Sequence, residues 1–179
     1  LYKTMTGSST INAFQKLVNH FNLNDIPEEL VLQKRKCYVN YFENDPTLSL
    51  VNGVKELIQF LYKQNLTLVL ASSSAMVNIN RVFSRFDLNQ YFTAKISGAD
   101  LTASKPHPEI FEKAAILGGV SKEHCIVIED SDNGIKAAND AGIFVVGYEN
   151  PLVSDQTLKD ANLIIRDYNI LKKYMIDLK

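Results

Sequence analysis

The sequence predicts an α/β fold, a mostly parallel sheet covered by helices on both faces, with a short helical module in front of it. Three observations predict it. Beyond residue 65 the apolar residues come in short continuous runs rather than alternating, which indicates strands buried on both faces. Those runs alternate with helix-periodic segments, the pattern of successive βαβ units. Residues 10–44 carry helical periodicity alone.

The elements follow in order. Ile11, Phe14, Leu17, Val18 and Phe21 recur at helix spacing behind Ser8, Ser9 and Thr10, all good N-cap types. Pro27 opens a second helix with Glu28 and Glu29 in its first turn, where acids favour the macrodipole. Leu30, Val31, Cys37, Tyr38, Tyr41 and Phe42 form its apolar face, and Asn44-Asp45-Pro46 ends it. Val54, Leu57, Ile58, Leu61 and Tyr62 stripe a third helix that stops at Asn65. The run Leu66–Ala71 reads as a strand, and the stop Ser72-Ser73-Ser74 leads to a helix carrying Ile79, Val82, Phe83 and Phe86. A strand near Ala94–Ser97 precedes a helix with Ile110, Phe111, Ala114 and Leu117. Cys125–Ile128 is a buried-type strand, with a helix from Asp132 to Ala141 behind it. Strands at Ile143–Val146 and Leu163–Ile165 follow, and a last helix runs toward Lys179.

Composition narrows the function classes. A chain of 179 residues can bury a core unaided, and its 46% hydrophobic and 22% charged residues exclude disorder. A net charge of −1, without a basic stripe, argues against nucleic acid or anionic membrane as partner. No apolar run approaches 18 residues, and Leu1–Thr10 lacks a signal-peptide core, so the expected location is cytoplasmic. Cys37 and Cys125 are too few for a disulfide framework and are expected to be buried free thiols.

In parallel sheets ligands sit outside the carboxyl ends of the strands, so the polar residues at those ends are the candidates. Ser72 offers a hydroxyl there, or else an N-cap for the next helix. Lys105 stands in Ser104-Lys105-Pro106-His107-Pro108, extended by Pro106, and offers a point charge or a solvated loop side chain. His107 has no second histidine at metal-binding spacing and reads as loop surface. Glu129-Asp130 are hard oxygen ligands suited to Mg²⁺, or decoration of the next helix N-terminus. Taken together, a hydroxyl, a lysine and a carboxylate pair can hold a phosphate and its magnesium. The glycine-rich phosphate loops of nucleotide-binding folds are absent from the sequence.

Leu70-Ala-Ser-Ser-Ser74, Ser104-Lys-Pro-His-Pro-Glu-Ile-Phe111 and Ile128-Glu-Asp-Ser-Asp-Asn-Gly-Ile135 resemble, in order and spacing, three motifs of the haloacid dehalogenase superfamily. The branch is that of β-phosphoglucomutase and small sugar-phosphate phosphatases. The resemblance implies a Rossmannoid three-layer core over residues 51–179 and a partial helical cap over residues 1–50. It implies that Ser72 binds the transferring phosphoryl group and that Lys105 neutralises it. Ser73 and Ser74 would line the substrate side, and Asp130 with Glu129 would hold Mg²⁺.

Three departures from the family pattern stand out. Thr10 occupies the place of a cap arginine, and Asn40 that of a cap lysine, which would grip a second substrate phosphate. The motif D-x-D-G with its nucleophilic aspartate is also absent, and with it the expected first core strand. The expectation is therefore a Mg²⁺-dependent phosphatase of a small phosphorylated metabolite, a sugar phosphate above others. Its attacking aspartate would lie outside these residues, so the 179-residue chain would be inactive. The alternatives are a phosphohexomutase, or a catalytically dead truncated binding protein. Substrate identity and oligomeric state stay open.

Overall fold

The computed structural model describes Leu1, Met5, residues 9–153 and residues 156–177. Ser8 and Lys179 lie outside the described residues.

Two helices come first. Helix α1 (Thr10–Phe21) starts where Ser9 Oγ accepts from Asn12 N, and Asn22 in the left-handed region ends it. Helix α2 (Pro27–Asn44) has proline at its first position and an acidic first turn, as its sequence predicts. The apolar face expected of α2 is only partly realised. Val31 and Phe42 are buried, whereas Tyr41 is 71% exposed and Cys37 faces solvent. Two helices alone have little apolar surface to share. Both cysteines are free, as expected, but neither is fully buried: Cys125 is partly covered.

The remaining chain alternates strand and helix. Gly53, at a positive φ of 80°, turns the chain into α3 (Val54–Lys63). Strand β1 (Val69–Ser72) starts three residues later than the apolar run suggests, because left-handed Asn65 and its turn use the first part of it. Then come α4 (Met76–Arg85), β2 (Ala94–Ser97), α5 (Glu109–Gly118), β3 (Ile126–Glu129), α6 (Asp132–Asp140), β4 (Phe144–Tyr148), β5 (Leu163–Ile165) and α7 (Tyr168–Asp177).

All strand pairs are parallel. β1 pairs with β2, Ser72 opposite Ser97, while β3–β4–β5 form a second sheet with Glu129 opposite Gly147. Among the described residues, β1 and β3 are not hydrogen-bonded to each other. What joins the two sheets is a common apolar layer. Ile96 of β2 and Val127 and Val145 of the second sheet pack with Ile110 and Phe111 of α5 and Ile135 of α6. On the opposite face Val146, Tyr148 and Ile165 meet Leu57 and Leu61 of α3 and Tyr168 and Leu171 of α7. Leu68 and Leu70 meet Ile58, Ile79 and Phe83. The result is three layers: α5 and α6, the sheets, then α3, α4 and α7. Among the described residues no helix is long and apolar enough to cross a membrane.

Candidate active site

The carboxyl ends of β1 and β3 lie on the same rim, and Lys105 connects them. Its Nζ donates to Ala71 O at 3.4 Å and to Glu129 Oε1, and stands 4.7 Å above the Phe111 ring. Lys105 is 6% exposed, so the solvated-loop reading is wrong for it. A buried ammonium needs a paired charge and acceptors, and this one has both. The Lys105–Pro106 peptide that carries it into the rim is cis. His107 stays on the surface, where Nδ1 accepts from Glu109 N.

Glu129 is held from its other side. Its Oε2 accepts from the backbone N of Asp130 and of Ser131, and from Ser131 Oγ. Ser131, itself buried, also caps α6 by accepting from Gly134 N at 3.0 Å. Gly134 has to be glycine here: a Cβ at that position would overlap the Glu129 carboxyl. Both oxygens of Glu129 are thus engaged by protein. Asp130, next along the chain, reaches solvent at the mouth of the site while protein crowds its carboxyl. Lost hydration first, and the charge of Glu129 second, push its pKa above the usual carboxylate value.

Ser72 is not the N-cap of α4; that position is Ala75, which makes no side-chain cap bond. Ser72 Oγ instead accepts from Ser74 N at 3.2 Å, which leaves its hydroxyl hydrogen for a ligand oxygen. Sequence reasoning missed Ser97, 2% exposed at the end of β2. Its Oγ donates to Ser74 O at 3.0 Å and accepts from Ala99 N, fixing the Ser72–Ser74 turn. Only its place at a strand end could have signalled this.

A cavity of about 340 Å³ separates the helical pair from the rim, and Ser73, Ser74 and Ser104 line its floor. Thr10 lines its roof, where the family pattern puts it, but Asn40 does not. Asn40 accepts instead from Asn44 Nδ2 along α2. Neither Thr10 nor Asn40 brings a cation to the cavity. Lys34 and Arg35, from an earlier turn of α2, line the cavity, and Lys34 Nζ reaches Thr10 Oγ1 at 3.4 Å.

For magnesium the fit is partial. The donors are hard oxygens, and Mg²⁺ commonly takes one or two protein carboxylates and keeps its waters. Among the described residues no group of three acidic, histidine or cysteine side chains is assembled. Asp130 is the free ligand of the pair, whereas Glu129 is committed to Lys105 and the start of α6.

The parallel α/β fold thus brings a serine, a buried lysine and a carboxylate pair to one rim. The pattern of the haloacid dehalogenase-like hydrolase family matches residues 2–148, and the chain belongs to that family. It is similar to the β-phosphoglucomutase of Bacillus subtilis (strain 168), 32% identical over 139 residues, 78% of this chain and 59% of that protein. It is also similar to hexitol phosphatase B of Escherichia coli (strain K12), 36% identical over 97 residues, 54% of this chain and 44% of that protein. The structure superposes on crystalline β-phosphoglucomutase from Clostridium difficile with TM-score 0.83 and 26% identity, covering 98% of this chain and 78% of that one. The chain thus spans about half the length of the curated relatives it matches.

Proposed function

We propose that this chain carries the phosphate-binding half of a phosphatase acting on a small phosphorylated metabolite, a sugar phosphate above others. The observation that carries this reading is Lys105, a buried cation tied to Ala71 O at one strand end and Glu129 at the other. Residues 1–50 serve as a partial cap and 51–179 as the core.

The chemistry assigned to these residues is binding and charge neutralisation. Ser72 donates to one phosphoryl oxygen, and Lys105 offsets the charge that develops on the group in flight. Ser73 and Ser74 orient the rest of the substrate on the cavity floor. Asp130, with Glu129 beside it, would hold Mg²⁺, which supplies Lewis-acid polarisation of the phosphoryl oxygens. The attacking carboxylate comes from an aspartate outside these 179 residues. It bonds to phosphorus as the sugar–oxygen bond to phosphorus breaks, and the leaving oxygen takes a proton from the second aspartic acid of the same D-x-D-G segment; water, giving a proton back to that carboxylate, then cleaves the acyl phosphate.

The test is a phosphatase assay on sugar monophosphates with magnesium. The expected result is no turnover by residues 1–179, and turnover once a segment bearing D-x-D-G is joined ahead of Leu1. Turnover by the chain alone would place the nucleophile inside it and overturn this assignment. Lys34 and Arg35 favour a second reading, a phosphohexomutase, because they offer two cations to a second anionic group. Product analysis separates the two: a phosphatase releases inorganic phosphate, a mutase an isomer.

A further inference from the structure

One cation, far from the rim, is used in an unexpected way. Arg85, the last residue of α4, reaches across to the end of α2. One arm of its guanidinium donates to Phe42 O, and the other donates to Asp45 O at 2.8 Å. The same group lies 5.2 Å from the Phe42 ring centroid and 5.9 Å from that of Phe86. The last carbonyls of a helix lack partners within the helix and attract cations. Helix α2 has no basic residue of its own in its last turn. The core supplies one.

From there the chain passes directly into the link to α3. Asp45 Oδ1 accepts from Thr47 N at 2.8 Å and from Thr47 Oγ1 at 2.6 Å, so the first residues of the link are also fixed. At the start of α1 the pair meets the core in a different way: Asn12 Nδ2 donates to Ser104 Oγ at 3.1 Å, exposed to water. The end of α2 is clamped by a charged fork and two rings, whereas the Asn12–Ser104 bond is neutral and exposed.

We propose that Arg85 is a positioning residue: it makes the C-terminal end of α2 the pivot of the cap, and so sets where Lys34 and Arg35 stand over the site. The proposal rests on the functional reading above. Lys34 lies about 12 Å along the helix from Phe42, so a tilt of roughly 10° at the pivot moves it about 2 Å. That shift is enough to break a charge-assisted hydrogen bond. Arginine suits the role because its planar fork meets two carbonyls at once, while lysine offers a single point charge.

The experiment compares the wild-type chain with Arg85→Ala and Arg85→Lys by amide hydrogen exchange and by ligand titration. The probes are inorganic phosphate, which engages the rim alone, and a hexose bisphosphate, which spans rim and cap. Arg85→Ala is expected to speed exchange over residues 38–48 roughly tenfold while residues 132–148 keep the wild-type rate. It is expected to weaken the bisphosphate roughly tenfold with phosphate affinity unchanged, and Arg85→Lys to fall between. Equal weakening of both probes, or unchanged exchange at 38–48, overturns the pivot. If Arg85→Ala also loosens residues 132–148, Arg85→Lys decides the matter on the same two readouts. A wild-type chain that binds neither probe defeats the functional reading, and local exchange then still decides the pivot.

Discussion

The helical pair and the α/β layers are built to different standards of packing. Helix α1 buries no residue and α2 buries two, whereas α6 alone buries Gly134, Ile135, Ala137 and Ala138. The groups proposed to bind phosphate sit on the well-packed part, where Lys105, Ser97 and Ser131 are buried. Thr10, Lys34 and Arg35, which line the cavity from the other side, sit on the thinly packed part. The difference suits the two jobs. Charge stabilisation needs donors fixed in advance, and closing over a substrate needs a part that can move at small cost.

Mutations can break this contrast at either end. The largest effect is expected from Glu129→Gln, which leaves Lys105 buried without its counter-charge. A loss of about 3–5 kcal/mol is expected in urea unfolding, and a loss near zero would mean that water reaches the lysine. Ile135→Ala, at a side chain 1% exposed, should cost about 2–5 kcal/mol in the same measurement. Gly134→Ala forces a methyl against the Glu129 carboxyl, so about 1–3 kcal/mol is expected, together with weaker magnesium binding by calorimetry.

Asp130 gives a smaller effect with a definite sign. Its carboxyl pKa is raised in the folded chain, so the folded state holds that proton more tightly than the unfolded state does. Its own contribution to the stability of the metal-free chain therefore falls as pH rises from the ordinary value of 3.8 through the raised one. Asp130→Asn should remove that contribution and raise the neutral-pH melting temperature relative to the wild type, in scans from pH 4 to 7. Magnesium affinity of the wild type should decline on acidification at a higher pH than an ordinary aspartate would give. The smallest effect belongs to the helical pair: Phe21→Ala, at a side chain 57% exposed, should stay within about 0.5 kcal/mol. A larger loss would show that α1 is packed more firmly than its exposure suggests.

The core and its rim are legible in the sequence because burial and chemistry are segregated along it. Apolar runs end in Ser72 and in Glu129-Asp130, and a parallel strand delivers its last residue to the ligand side. Lys105 is legible as a candidate through Pro106, though its burial is not, since a lysine in a polar loop usually stays in water. The helical pair is harder to read. Gln33-Lys-Arg-Lys36 has the appearance of a solvated face, and only the phase of α2 against the core decides which of its turns overlooks the cavity. Alignment on the family pattern puts the place for a lysine at Asn40, while the cavity has Lys34. Ser97 and Arg85 act on backbone oxygens distant in sequence, Ser74 O, Phe42 O and Asp45 O, and such acceptors carry no side-chain signature.

The two separate parallel sheets also bear on how the purified chain behaves at high concentration. A strand without a neighbour presents a ladder of free N–H and C=O groups to any extended peptide. Along β3, Ile126 is 47% exposed and Ile128 is 37% exposed, so apolar contact would add to those hydrogen bonds. Among the described residues no strand pairs with that side of β3, and copies of the chain would begin to aggregate there. A short extended peptide that pairs along β3 should therefore improve solubility.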